Sequence, residues 1–124
     1  MGVTYTLINQ TRGERIDFAH VGACKARELV GNPVAAAITS WYLLQHSGDA
    51  IAFVGDTDGK WPFATGCLED TYEYREVTDE VVAELLRVGV LADHGLSFVD
   101  EDEPDTIFIR DLRNAWMPDP PRGE

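Results

Sequence analysis

Near the C-terminal end, the stretch "DEDEPD" packs Asp100, Glu101, Asp102, Glu103 and Asp105 around Pro104. Residues of these types at this spacing can bind a cation, hold a basic protein surface, or close a solvated turn. Asp100 and Asp102 begin like a calcium loop, but such a loop needs Asp or Asn at its fifth place and Gly at its sixth. Pro104 and Asp105 stand there instead. "DTDG", Asp56 to Gly59, starts a similar pattern and runs straight into Lys60-Trp61-Pro62. Zinc would have to draw on His20, Cys24, His46, Cys67 and His94, whose spacing fits neither a finger nor a ribbon. The sequence therefore predicts no metal and no cofactor.

Cys24, His46 and Asp49 are the residue types of a thiol nucleophile, its base and an orienting carboxylate. No sharp nucleophile turn or Gly-rich phosphate loop surrounds them, and Asp17 with His20 is equally generic. His46, at a helix end, is better suited to bonding helix carbonyls. The expectation is a non-enzymatic protein. Two cysteines make no disulfide framework and read as buried free thiols.

Charge carries the loudest signal. The net charge is −12, and residues 69–124 hold 16 acids against five bases while residues 1–68 hold six against five. Such a field repels phosphate backbones and attracts cationic surfaces. It also undercuts a helix-turn-helix reading of the two helices joined by "GNP", or a winged one built on the last hairpin. Pro33 to Gln45 contains no Lys or Arg, and the wing tip would carry acids where DNA requires bases. Direct nucleic-acid binding is not expected.

The stretch Gly55 to Gly66, "GDTDGKWPFATG", shows no periodicity, and long irregular loops in small domains often carry function. Trp61 and Phe63 within it either fold back to plug the core or stand out as interface anchors, as aromatics at hot spots do. Trp116 and Met117 offer a second aromatic-apolar pair.

The elements that would position these residues follow from periodicity. Tyr5 and Leu7, then Ile16 and Phe18, alternate with polar neighbours across "NQTRGE", predicting a hairpin. "ACKARELV" predicts a short helix ended by Gly31. Asn32 as N-cap and Pro33 at the first helical position open a second, apolar helix near residues 33–46, expected to lie inside, packed on more than one neighbour. "AIAFV" reads as a buried strand and "TYEYREV" as a half-exposed one. Thr78 is placed to cap a third helix, "DEVVAELLRVG", with Asp79 and Glu80 at its positive end. "LSFV" and "TIFIR" flank the acidic stretch as two strands, and Pro104 with its neighbours guards the edge they expose.

Helices and strands do not alternate regularly, so the predicted class is α+β, one domain over 1–115 with a mainly antiparallel sheet and about three helices. A proline-rich tail covers 116–124. No internal repeat is visible. At 124 residues the chain is long enough to bury a core without staples. The opening residues lack the basic and apolar regions of a secretory leader, and no apolar run reaches membrane-spanning length, so a cytoplasmic protein is expected. The function these features predict is binding a basic partner protein through the acidic half. Asp100, Glu101, Asp102, Glu103, Asp105, Trp61 and Phe63 are the contact residues. An immunity or antitoxin-like inhibitor of a toxin or nuclease is the concrete case. The alternative is a small-molecule-binding domain or enzyme with a pocket near the Trp61 loop.

Overall fold

The alternating apolar residues of the first segment pair as their pattern requires. Tyr5–Asn9 (β1) and Glu14–Asp17 (β2) run antiparallel with Leu7 opposite Ile16. Ile51–Gly55 (β3) lies antiparallel on the other side of β1. The two-residue strand Arg75–Glu76 (β4) joins β2 in parallel, giving the sheet order β3-β1-β2-β4. The computed structural model describes residues 3–57 and 59–116.

Three α-helices cover one face of this sheet: Ala26–Gly31 (α1), Pro33–Gln45 (α2) and Thr78–Arg87 (α3). The Asn32 carboxamide accepts the Val34 and Ala35 N–H groups at 2.9 Å each, and Pro33 follows at the first helical position, as predicted. Leu7, Ile16 and Phe18 from the sheet meet Ala35, Ile38 and Tyr42 of α2 and Val81, Val82 and Leu85 of α3 in one core. By strand alternation Ile8 and Val54 point to the opposite face, yet they are only 1% and 4% exposed. Residues 59–68, on the way from β3 at one edge to β4 at the other, lie against that face and line a cleft with Val54. They are fastened there by Gln10 Nε2 donating to the Thr65 carbonyl at 2.8 Å.

The architecture is α+β, as the irregular element order predicts, but several local expectations are corrected. The second helix packs on more than one neighbour, α1 and α3 among them, as expected, but it is not enclosed, because Leu43 and Leu44 are exposed beyond the core contacts of Val34, Ala35, Ile38 and Tyr42. The strand in "AIAFV" is a half-buried edge, since among the described residues only β1 pairs with it. The expected strand is confined to β4, and the first three residues of "TYEYREV" belong to a 3-10 turn, Leu68–Glu73. Its cause is local: Asp70 takes the Cys67 N–H at 3.0 Å and Thr71 bonds back to the Leu68 carbonyl at 2.7 Å. Gly31 is the last residue of α1, with Asn32 as the shared cap. Thr78 is the first residue of α3 rather than its cap, and its hydroxyl ties back to both the N–H and the carbonyl of Asp17.

Leu91–Val99 (β5) and Phe108–Asn114 (β6) form a separate two-stranded sheet. Its root joins the core through Leu91 and Leu112, and Asn114 Nδ2 donates to the Pro33 carbonyl at 3.0 Å. Of the expected proline-rich tail, Trp116 is exposed, and Met117 and the residues after it lie outside the described residues.

Candidate functional site

The acidic stretch closes the β5–β6 hairpin. Asp100 Oδ2 accepts the N–H groups of Asp102 and Glu103 at 3.0 Å each, and the Glu103 carbonyl accepts those of Thr106 and Ile107 at 3.1 and 2.9 Å. One carboxylate is thus spent on shaping the turn. Glu101, Asp102, Glu103 and Asp105 are exposed. Ion pairs elsewhere join Arg12 to Asp49, Arg75 to Glu14 and Glu80, Arg110 to Asp79 and Asp93, and Arg113 to Asp111. None of these cations reaches the tip. Among the described residues no group of three His, Cys, Asp or Glu side chains is placed to hold a metal.

Apolar side chains flank these acids. Leu96, Phe98, Val99 and Ile107 are 54%, 49%, 42% and 44% exposed. Val99 lies opposite Phe108 and Phe98 opposite Ile109, so apolar pairs occupy both faces of the outer hairpin. The His20 ring stacks on Phe108 at 3.9 Å, and its Nδ1 lies 2.8 Å from the Phe108 carbonyl oxygen. That contact docks β6 against the domain, while β5 is exposed from Asp93 to Val99. At the root of β5, Asp93 accepts the Gly95 N–H at 2.9 Å. That bond, with Arg110 beside it, draws the Asp93 carboxyl below its ordinary range.

Trp61 and Phe63 belong to a different part of the molecule. Their rings pack edge to face at 5.2 Å, and Trp61 Nε1 donates to the Thr65 carbonyl at 2.7 Å. Both are half-buried in the segment that covers the second face of the four-stranded sheet. The tip and the aromatic pair, grouped as one surface in the sequence, therefore hang on different sheets. A cleft of about 220 Å³ beside Trp61 is lined by Val54, Asp56, Lys60 and Cys67. It is smaller than the roughly 300–1,000 Å³ of most small-molecule pockets.

A polar network that sequence reasoning missed joins β1, β2 and the end of α2. The Tyr42 hydroxyl, in a residue only 2% exposed, donates to Glu14 Oε1 at 2.7 Å and accepts from Asn9 Nδ2 at 3.0 Å. Asn9 Nδ2 also reaches Asp49 Oδ2 at 2.9 Å, and Arg12 Nε reaches the same oxygen at 2.8 Å. Burial, then the Glu14 hydrogen bond, pushes the Tyr42 phenol well above its usual range, so it stays a neutral donor. The Asn9 and Arg12 hydrogen bonds hold the Asp49 carboxyl below its usual range. His46 stacks on Tyr42 at 4.1 Å and its Nδ1 lies 2.9 Å from the Tyr42 carbonyl oxygen, the helix-end role its position predicts. Arg75 caps the network, bonding Glu14 at 3.0 Å and pairing with Glu80, whose charge raises the guanidinium pKa. A cleft of about 230 Å³ opens beside it, lined by Glu14, Trp41, Tyr42, His46, Arg75 and Glu84. Tyr42 and His46, four apart on one helix face, were the readable signal.

Neither cysteine is buried as expected, Cys24 being partly exposed and Cys67 exposed, and Cys24 is no part of this network. Its carbonyl accepts the Tyr5 N–H at one end of β1, whereas Asp49 bonds Asn9 at the other. Four residues of strand place them on the order of 13 Å apart, which separates a thiol at Cys24 from any base at His46. No buried side-chain nitrogen or oxygen among the described residues lacks a partner. The network is internally satisfied, whereas the exposed tip carboxylates of Glu101, Asp102, Glu103 and Asp105 form no ion pair among the described residues. Compared with known protein families, with curated proteins and with solved structures, the chain matches none.

Proposed function

We propose that this chain is a non-enzymatic binding protein whose acidic hairpin engages a basic partner protein. The observation that carries the reading is the tip itself. Asp100, Glu101, Asp102, Glu103 and Asp105 have no cationic neighbour among the described residues, while Arg12, Arg75, Arg110 and Arg113 are committed to other carboxylates. Exposed apolar residues beside uncompensated charge fit an interface with an apolar centre and a charged rim. No helix among the described residues is long and apolar enough to cross a membrane, in keeping with a partner met in solution. The partner class that best fits is a basic effector such as a toxin or nuclease, held in the cytoplasm by an inhibitor of the immunity or antitoxin kind. Carboxylates on the tip would occupy the positions that nucleic-acid phosphates take on such a surface.

Capture from the native host at low and high salt supplies the partner. Association rates with the purified partner then compare the parent with the variant D100N/E101Q/D102N/E103Q. Steering by exposed charge decays over about 8 Å at physiological ionic strength, so added salt slows the parent. The variant associates about tenfold more slowly at low salt and loses most of the salt dependence. A parent insensitive to salt, or a variant that associates as fast, overturns the reading.

A further inference from the structure

The open edge of β5 deepens that reading and rests on it. Asp100 N–H donates to the Ile107 carbonyl at 2.9 Å, so the pair Asp100–Ile107 faces inward between the strands. Antiparallel alternation then turns the N–H and C=O of the next pair, Val99 and Phe108, away from each other. The Phe108 carbonyl confirms the phase, because it points outward to His20 Nδ1. On the opposite margin the N–H and C=O of Val99 face outward. Among the described residues no strand covers that margin, since β5 pairs with β6 alone. Phe98 and Val99, projecting to opposite faces, are both more than two-fifths exposed.

We infer that the partner's contact is an extended segment, with Lys or Arg alternating with aliphatic residues, that adds a strand to β5 at Phe98–Asp100. Main-chain hydrogen bonds to Val99 fix the register, Phe98 and Val99 receive the aliphatic side chains, and the tip carboxylates receive the cations. Register shifts between Asp93 and Leu96 and between Leu96 and Phe98, with Gly95 at φ +96°, bend the strand and confine the regular edge to its last residues. So short an edge binds an uncharged strand weakly, and the acids decide what binds. They repel a second copy of this chain, whose net charge is −12, and admit a cationic strand. Protection against self-pairing and selection of a basic partner are then one device.

The test uses the full chain and a capped seven-residue peptide of alternating lysine and valine. Val99→Pro removes an outward N–H that β6 does not use, which an edge strand tolerates; Val99→Thr keeps the N–H. Amide spectra and binding isotherms at low salt read the outcome, with melting temperatures checking that both variants fold. The expected result is perturbation centred on Phe98–Asp100 and binding about tenfold weaker for Val99→Pro than for Val99→Thr. N-methylation of the peptide on one edge alone abolishes binding. Equal, salt-sensitive binding by both variants overturns strand pairing and leaves the acidic-tip reading standing. Absence of salt-sensitive binding to the peptide and to the captured partner overturns both. Concentration-dependent self-association centred on Val99 also overturns it, because the charges would then not select.

Discussion

Two acid-rich regions of this chain treat their charge in opposite ways. Around Tyr42, the carboxylates of Glu14 and Asp49 each have two donors within 3.0 Å. At the hairpin tip only Asp100 is engaged, by backbone N–H groups, and the remaining carboxylates face water. The first arrangement fixes where β1, β2 and α2 sit; the second leaves interaction free energy unspent in the isolated molecule. Residue type does not separate the two arrangements. Side-chain donors do: among the described residues they reach Glu14 and Asp49 and are lacking at the tip, which makes the comparison breakable by substitution.

The largest contrast concerns packing beneath each region. Ile38 is fully buried under the network, and Ile38→Ala should cost about 2–5 kcal/mol in denaturant unfolding. Leu96 beside the tip is more than half exposed, and Leu96→Ala should change stability by less than about 1 kcal/mol. Comparable losses from both would make the hairpin part of the core and remove the distinction.

Next comes Tyr42→Phe, which strips the hydroxyl from Glu14 and from fully buried Asn9 and should cost about 1–3 kcal/mol. The pH dependence carries a sign. Because the folded phenol is held above its unfolded value of about 10, its contribution is complete below that pH and declines as pH rises past it. The parent's melting temperature should therefore fall more steeply above about pH 10 than that of Tyr42→Phe. Parallel curves would mean that the hydroxyl is not desolvated.

Much of this fold was legible because it is local. The Leu7–Ile16 register follows from period-two alternation, and the α1–α2 break from Asn32 and Pro33. What escaped was long-range. Glu14 looked like a loop acid until β1 and α2 placed it beside Tyr42, 28 residues away in sequence. The strand expected over "TYEYREV" is reduced to Arg75–Glu76, its first residues lost to side-chain bonds from Asp70 and Thr71 that periodicity does not register. Trp61 and the acidic tip share a loop-like character in sequence, but sheet order assigns them to separate sheets. The tip itself was readable, since five acids around a proline have few solvated alternatives to a turn.

A smaller effect probes Asp49. Its carboxyl is held below the ordinary range, so its contribution is present above an unfolded value of about 3.9 and is lost as pH falls through the depressed one. Asp49→Asn removes that dependence. Its melting temperature should decline less than the parent's between about pH 5 and pH 2. A parent curve no steeper than the variant's would detach Asp49 from the Asn9–Arg12 anchor.

The smallest expected change in stability is the most discriminating. D100N/E101Q/D102N/E103Q removes four charges while keeping size and polarity. Asn at position 100 retains the oxygen that accepts the Asp102 and Glu103 N–H groups, so the turn keeps its shape. The other three side chains are exposed and take part in none of the hydrogen bonds that form the turn. Two unit charges about 4 Å apart in water repel by about 1 kcal/mol, and salt reduces this further, so relief of repulsion is worth little. The variant should unfold within about 0.5 kcal/mol of the parent, on the stabilised side at low salt. Four acids that can be neutralised without cost to the fold, while association with a basic partner slows, are acids held for the partner. A loss above about 1 kcal/mol would instead make the tip a second structural network, and the contrast with Glu14 and Asp49 would collapse.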